Sequence, residues 1–267
     1  TRWVRDETLA RGVFDHLQKM ADTIRVMPFL DGIPCSIHGL VFDRGVAVLR
    51  PAEMVVLRTE STAEFRYLRA GTAWDPRPED RDAMRDAAER FGEYLRSHLD
   101  YCGAFTIDGV MTADGFRPTE CNPRIGAALN LMVADFPFAD LADALIQGCT
   151  FDDVDPAALE AELLQIADAH RRGSMGILTS TPFHDTAYRH LAWRGDAWVE
   201  VEEVDAHAKL MVGPGPSGGF INLSLDSEHI PAGTSLGPRA AAFIAWADRH
   251  LGTHEGPCVP APDLRPA

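Results

Sequence analysis

The stretch of sequence with the clearest chemical pattern is YCGAFTIDGVMTADGFRPTECNPRIGAALN, residues 101–130. It contains Asp108, then Glu120-Cys121-Asn122, then Pro123-Arg124. In a strand, residues two apart share a face, so Glu120 and Asn122 point the same way. Ala113-Asp114-Gly115 is a turn signal, and a three-residue hairpin loop there puts Gly115 in its left-handed position. Asp108 then lies opposite Glu120, whereas a slip of one residue would turn it to the other face. Two carboxylates facing each other across a strand pair repel. A magnesium ion resolves the conflict, because hard cations take carboxylate and amide oxygens. Asn122 supplies such an oxygen without more negative charge, and magnesium keeps positions open for phosphate. Pro123 ends the strand and Arg124 projects beyond it. Gly126 and the small residues after it let backbone approach a ligand closely. Acids facing water are the commoner fate of such a pair on an arbitrary hairpin. The amide and arginine that follow set this hairpin apart as a phosphate-handling cluster.

Elements must hold that hairpin in place. Helical spacing marks residues 6–22, with Leu9, Val13, Leu17 and Met20 on one side. Residues 23–30 read as extended, and Asp31-Gly32 as a turn. Strand-like runs follow at 35–42 and 46–49, joined at Asp43-Arg44-Gly45, with a third at 54–57. Residues 71–78 read as a loop. The strongest helix is 79–99, where Met84, Ala87, Ala88, Phe91, Leu95 and Leu99 share a face. Further helices are expected at 137–148, 156–171 and 238–251. Between them, residues 174–235 carry short apolar runs broken by glycine and proline.

The expected fold class is therefore α+β. An antiparallel sheet with packed helices spans 1–150, a helical connector 151–173, and a small β-rich domain with a closing helix 174–252. The proline-rich tail 253–267 is expected to be disordered.

Composition narrows the partners. A chain of 267 residues that is 46% apolar can bury sizeable cores. A net charge of −15 argues against nonspecific nucleic-acid binding and against anionic membranes. The five scattered cysteines show no zinc or redox spacing and read as reduced, hence cytoplasmic. Other polar residues read more simply. Arg50, Glu53 and Arg58 reach the cleft or, more simply, line solvated strand edges. His38 reads as a satisfied core or surface histidine. His184, Asp185 and His190 match no zinc motif. Gly213-Pro214-Gly215-Pro216-Ser217-Gly218-Gly219 reads as a turn, since its prolines remove backbone donors. Trp193 and Trp198 read as core or hairpin residues.

The hairpin resembles the ATP-grasp superfamily of ligases, whose signature is an acid on one strand and Glu-x-Asn on the next about a dozen residues later. Asp108, Glu120-Cys121-Asn122 and Pro123-Arg124-x-Gly126 carry the resemblance. The run Met27-Pro28-Phe29-Leu30-Asp31-Gly32, with Ser36 and Ile37, resembles the strand and turn leaving the family's adenine-binding hinge. The resemblance covers roughly residues 1–150. It implies an ATP- and magnesium-dependent carboxylate–amine ligase that works through an acyl phosphate, with manganese as an alternative metal. It implies metal ligation by Asp108, Glu120 and Asn122, phosphoryl stabilisation by Arg124, and adenine contacts from Met27, Pro28, Phe29 and Leu30. Implied partners are small-molecule carboxylates and amines, and a homodimer is compatible with it.

The sequence also departs from the family. Met27, Ile33 and Pro34 stand where an acid grips the ribose, and Lys19 does not match the phosphate-binding lysines. Those parts are expected upstream of Thr1. The rival expectation is a degenerate, non-catalytic nucleotide- or partner-binding module of the same fold.

Overall fold

The structure, a computed structural model, describes residues 1–59, 61–62, 64–225 and 227–266. The first helix, α1 (Glu7–Leu17), starts where the Asp6 carboxylate accepts a hydrogen bond from the Leu9 amide, and it buries no residue fully. Residues 21–32 have no regular structure apart from bends at Asp22 and Gly32, and they lead into the sheet.

Six strands build the first part of that sheet: β1 (Ile33–Phe42), β2 (Gly45–Val48), β3 (Ala52–Thr59), β4 (Phe65–Gly71), β5 (Gly103–Thr112) and β6 (Gly115–Asn122). Five more follow, β7 (Gly173–Thr179), β8 (Ala187–Arg194), β9 (Ala197–Glu200), β10 (Ala208–Gly215) and β11 (Gly218–Leu225), and the short β12 (Cys258–Pro260) comes last. The spatial order is β6-β5-β1-β3-β4-β7-β11-β10-β8-β9, with β2 on β1 and β12 on β3. The ladders are antiparallel. The α+β class with an antiparallel sheet is what the sequence leads one to expect.

Register decides which side chains share a face. Starting from Cys35 and Ile37 on β1, one face carries Phe105, Ile107 and Met111 and packs on Met84, Ala88 and Leu95 of α2 (Pro78–Leu99). α2 begins with a proline, where the missing N–H costs nothing. Leu99, the last residue of α2 before left-handed Asp100, is exposed, not buried as its spacing predicts. Farther along, the same face carries Val55, Leu57, Leu68, Met175, Leu210 and Leu223 and packs on Phe243 and Ile244 of α6 (Gly237–Leu251).

The opposite face is covered at one end only. There Leu40, Phe42, Ala52, Ala70 and Ala104 lie under α3 (Leu129–Met132), α4 (Phe138–Ile146) and α5 (Pro156–Ala169). Beyond that end the face is open.

Two expectations about organisation meet a different structure. α5 does occupy the connector region, yet the sheet runs on past it through Arg69↔Met175, Ala70↔Ser174 and Gly71↔Gly173. The facing glycines leave a notch: a Cβ would stand 2.3 Å from Leu236 Cδ1 at Gly71 and 2.6 Å at Gly173. Leu236 fills it. The tail from Thr253 is laid along the molecule, because Cys258, Val259 and Pro260 pair with β3 and Arg265 forms an ion pair with Asp80 at 2.6 Å. Proline content suggests disorder, but a proline at an edge position needs no ladder partner for its nitrogen.

Candidate functional site

β5 and β6 hold the site, and their register arises differently from expectation. The turn is Ala113-Asp114, closed by Thr112↔Gly115, with Gly115 at φ +104°. Continued unbroken, that register would set Asp108 against Thr119. A bulge between Gly109↔Pro118 and Asp108↔Glu120 takes Thr119 out of the ladder, and its hydroxyl donates to the Asp108 carbonyl at 3.2 Å. Bulges re-aim side chains in this way near functional sites. Asp108 thus does face Glu120.

Two rows of residues cross β1, β5 and β6 on the partly open face. One is Ser36–Asp108–Glu120, and its neighbour is His38–Thr106–Asn122. Asn122 Nδ2 donates to Asp108 Oδ2 at 3.2 Å, which joins the rows. Asp108 is partly buried while Glu120 and Arg124 are exposed. Burial first, and the facing Glu120 second, raise the Asp108 carboxyl above the ordinary carboxylate range, while Arg124 and Asn122 pull the other way. The pair is therefore a carboxylate held against both desolvation and a like charge.

That arrangement fits a divalent cation. Among the described residues no three His, Cys, Asp or Glu side chains gather into a metal-binding group. Asp108 and Glu120 are only two acids, so the third oxygen must come from the amide of Asn122, once turned. Two carboxylates and an amide oxygen on one face are the hard donors that magnesium takes, with positions left for other ligands. His184, Asp185 and His190 form no such group among the described residues, and the His190 ring lies 3.9 Å from Glu203.

Beneath the acids lies a buried chain of hydrogen bonds. His38 is 2% exposed. Its Nε2 is 3.2 Å from Ser36 Oγ and its Nδ1 2.9 Å from Thr106 Oγ1. Thr106 gives its own proton to the Arg124 carbonyl at 3.0 Å, so it must accept from His38 Nδ1–H. His38 Nε2 is then the acceptor for Ser36. Burial lowers the imidazole to about 4, in keeping with this neutral form. Gly126 closes over the ring, and a Cβ there would lie 2.3 Å from His38 Cε1. Close approach at Gly126 thus serves His38, where a ligand was expected. His38 is a satisfied core histidine that fixes the backbone bearing Arg124.

The remaining expected residues are dispersed. Met27, Pro28 and Phe29 are exposed and Leu30 is half-buried, in the segment entering β1. Phe29 lies 6.1 Å from Trp3 and 6.2 Å from Phe65, ring to ring. Arg50 is buried in ion pairs with Asp75 and Asp168. Glu53 is buried and accepts from the Leu236 and Gly237 amides and from Ser235 Oγ at the start of α6. Desolvation raises its carboxyl to about 7. Arg58 stacks on Trp3 and Phe29. Arg50, Glu53 and Arg58 hold the fold together; they neither line the cleft nor form solvated edges.

Tyr67, absent from the sequence reading, stands on the open face. Val56↔Tyr67 and Met54↔Ala70 put Tyr67 on the Asp108 side, with a bulge between them. Burial and Asp108 raise the Tyr67 phenol, while Arg69 and Arg124 draw it down. The only sequence signal was the run Phe65-Arg66-Tyr67-Leu68-Arg69-Ala70, whose alternation breaks at Leu68.

No family model matches the sequence. No curated protein matches it either. Solved structures do. N5-carboxyaminoimidazole synthase from Aspergillus clavatus, in complex with ADP and 5-aminoimidazole ribonucleotide, shares 12% identity over 90% of this chain and 58% of its own, with a TM-score of 0.52. An L-amino acid ligase from Bacillus licheniformis shares 16% identity over 83% of this chain and 51% of its own, at a TM-score of 0.47. A biotin carboxylase domain of a single-chain bacterial carboxylase shares 15% over 77% and 45%, at 0.46. The chain thus spans between 45% and 58% of the length of these structures. No helix among the described residues is long and apolar enough to cross a membrane. On the likeness to the Aspergillus clavatus structure, the chain has the ATP-grasp fold.

Proposed function

We propose that this chain is the metal- and phosphoryl-handling portion of an ATP- and magnesium-dependent carboxylate–amine ligase. One observation carries the reading: Asp108 and Glu120 face each other on the open end of the sheet, joined to Asn122 and followed by Arg124. The opposed carboxylates need a cation, and Asp108, Glu120 and Asn122 would hold it. Bound there, magnesium would neutralise charge on the ATP phosphates.

In the reaction a substrate carboxylate oxygen bonds to the γ-phosphorus of ATP as the bond to ADP breaks, giving an acyl phosphate. An amine then attacks the acyl carbon; phosphate leaves, the nitrogen loses a proton and an amide forms. Arg124 stabilises the phosphoryl oxygens during transfer, because guanidinium donors match phosphate geometry. The Ser36–His38–Thr106 chain holds the Arg124 backbone so that this donor need not reorganise. Met27, Pro28, Phe29 and Leu30 offer main chain and apolar surface to the adenine. Residues 1–150 carry the nucleotide and metal chemistry, and residues 174–252 extend the floor on which the other substrates lie.

Glu120→Ala in the intact protein is expected to abolish magnesium-dependent ATP turnover. Wild-type turnover in that variant would overturn the reading.

A further inference from the structure

Arg69 sits at the seam where β4 meets β7. Its φ is +119°, a conformation that L side chains rarely adopt. Such strain persists only where surroundings over-determine it, and it gathers at binding sites. Its ladder partners, Val55 and Met175, belong to the apolar core. The bulge turns Arg69 away from that core and onto the open face. There its Nε would lie 3.4 Å from a Cβ placed on Gly176, and Asn222 Oδ1 3.2 Å from the same point. Register puts Ser174, Gly176, Asn222 and Ser224 on the face that holds Tyr67, Ala70 and, across β3 and β1, Asp108.

The neighbours form a polar floor. Ser174 Oγ donates to Asn222 Oδ1 at 3.2 Å, and Asn222 Nδ2 donates to Ser224 Oγ at 3.1 Å. Of the three arginines on β4 and the adjoining part of β3, Arg58 faces Asp31 and Arg66 pairs with Glu255. Among the described residues no carboxylate lies at ion-pair distance from Arg69. Its guanidinium is exposed, on a chain of net charge −15. A planar fork of donors beside a phenol suits a two-oxygen anion.

We infer that Arg69, with Tyr67 beside it, binds the carboxylate or phosphate group of the small-molecule substrate, on a floor of Ser174, Asn222 and Ser224. The assignment of that anion to the small-molecule substrate rests on the ligase reading; the anion site does not.

The test is calorimetric titration of the full chain with inorganic phosphate and, separately, with malonate, in the presence of a chelator. Wild type is expected to bind, and the tighter of the two anions identifies the group. Arg69→Gln and Arg69→Gly are each expected to weaken binding at least tenfold. Glycine tolerates the positive φ, so Arg69→Gly should melt no lower than wild type, which separates lost binding from lost folding. Unchanged affinity for both anions in the two variants would overturn the inference, as would no binding by wild type. Magnesium–ATP titrated into separate, chelator-free samples of the same proteins keeps the two readings apart. Arg69 variants should retain nucleotide binding, and its absence from wild type sinks the ligase reading alone.

Discussion

One face of the sheet is treated in two ways. Under α3, α4 and α5 it offers Leu40, Phe42, Ala52, Ala70 and Ala104, all buried. A few residues along the same strands it offers Ser36, Asp108, Tyr67, Arg69 and Ser174. The change falls where helical cover ends. The reverse face stays covered from α2 to α6 and is apolar apart from buried Glu53, which is bonded to the start of α6. Covered sheet is selected for volume, and open sheet can be spent on charge. The acid, amide, arginine and phenol of the proposed sites all lie beyond the helices, on the open part of the face.

Three substitutions press on that contrast. The largest effect belongs to the covered end. Phe138, at the start of α4, is 2% exposed. Phe138→Ala should cost about 3–5 kcal/mol in urea unfolding through lost burial and a cavity. A loss under about 1 kcal/mol would mean that α4 is not firmly seated.

Gly126→Ala probes the border between the two ends. The new methyl would meet His38 Cε1 at 2.3 Å and Thr106 Oγ1 at 2.8 Å. Destabilisation of about 1–3 kcal/mol is expected from overpacking. In a His38→Ala background the penalty should shrink, since the clashing ring is gone, and that non-additivity is the readout. Equal penalties in both backgrounds would dissociate Gly126 from the histidine.

The smallest effect is at the acids, and its sign is opposite. Asp108→Asn, measured in chelator, should stabilise the protein by up to about 1 kcal/mol at neutral pH by removing a like-charge pair. The Asp108 carboxyl is raised in the folded state, so the charged form weakens the fold as pH rises through its titration. At pH below the carboxylate range Asp108 is already protonated, and the gain should vanish. Added magnesium should raise the melting temperature of wild type and leave Asp108→Asn nearly unmoved. A variant less stable than wild type in chelator would mean that the pair is not strained.

Much of this was legible before any coordinates. The opposition of Asp108 and Glu120 follows from alternation and a turn signal, although the molecule reaches it with a shorter loop and a bulge at Thr119. α2 was legible because its apolar spacing, from Met84 to Leu99, runs over about four turns. His38 was not, because one histidine in an apolar strand says nothing about a threonine far away in sequence. Arg69 was hidden for another reason. A bulge breaks period two, and Phe65-Arg66-Tyr67-Leu68-Arg69-Ala70 then reads as neither strand nor helix. The seam between β4 and β7 and the docking of the tail depend on pairings between distant segments, which local pattern does not encode.

The notch at that seam has a consequence for how the sequence can drift. Gly71 and Gly173 make room for one leucine, and neither glycine can gain even a methyl group while Leu236 stays as it is. A side chain gained at either glycine therefore requires Leu236 to shift or to be replaced by something smaller. Positions 71, 173 and 236, far apart in the chain, are expected to change together, and relatives that replace one should be found to have replaced its companion.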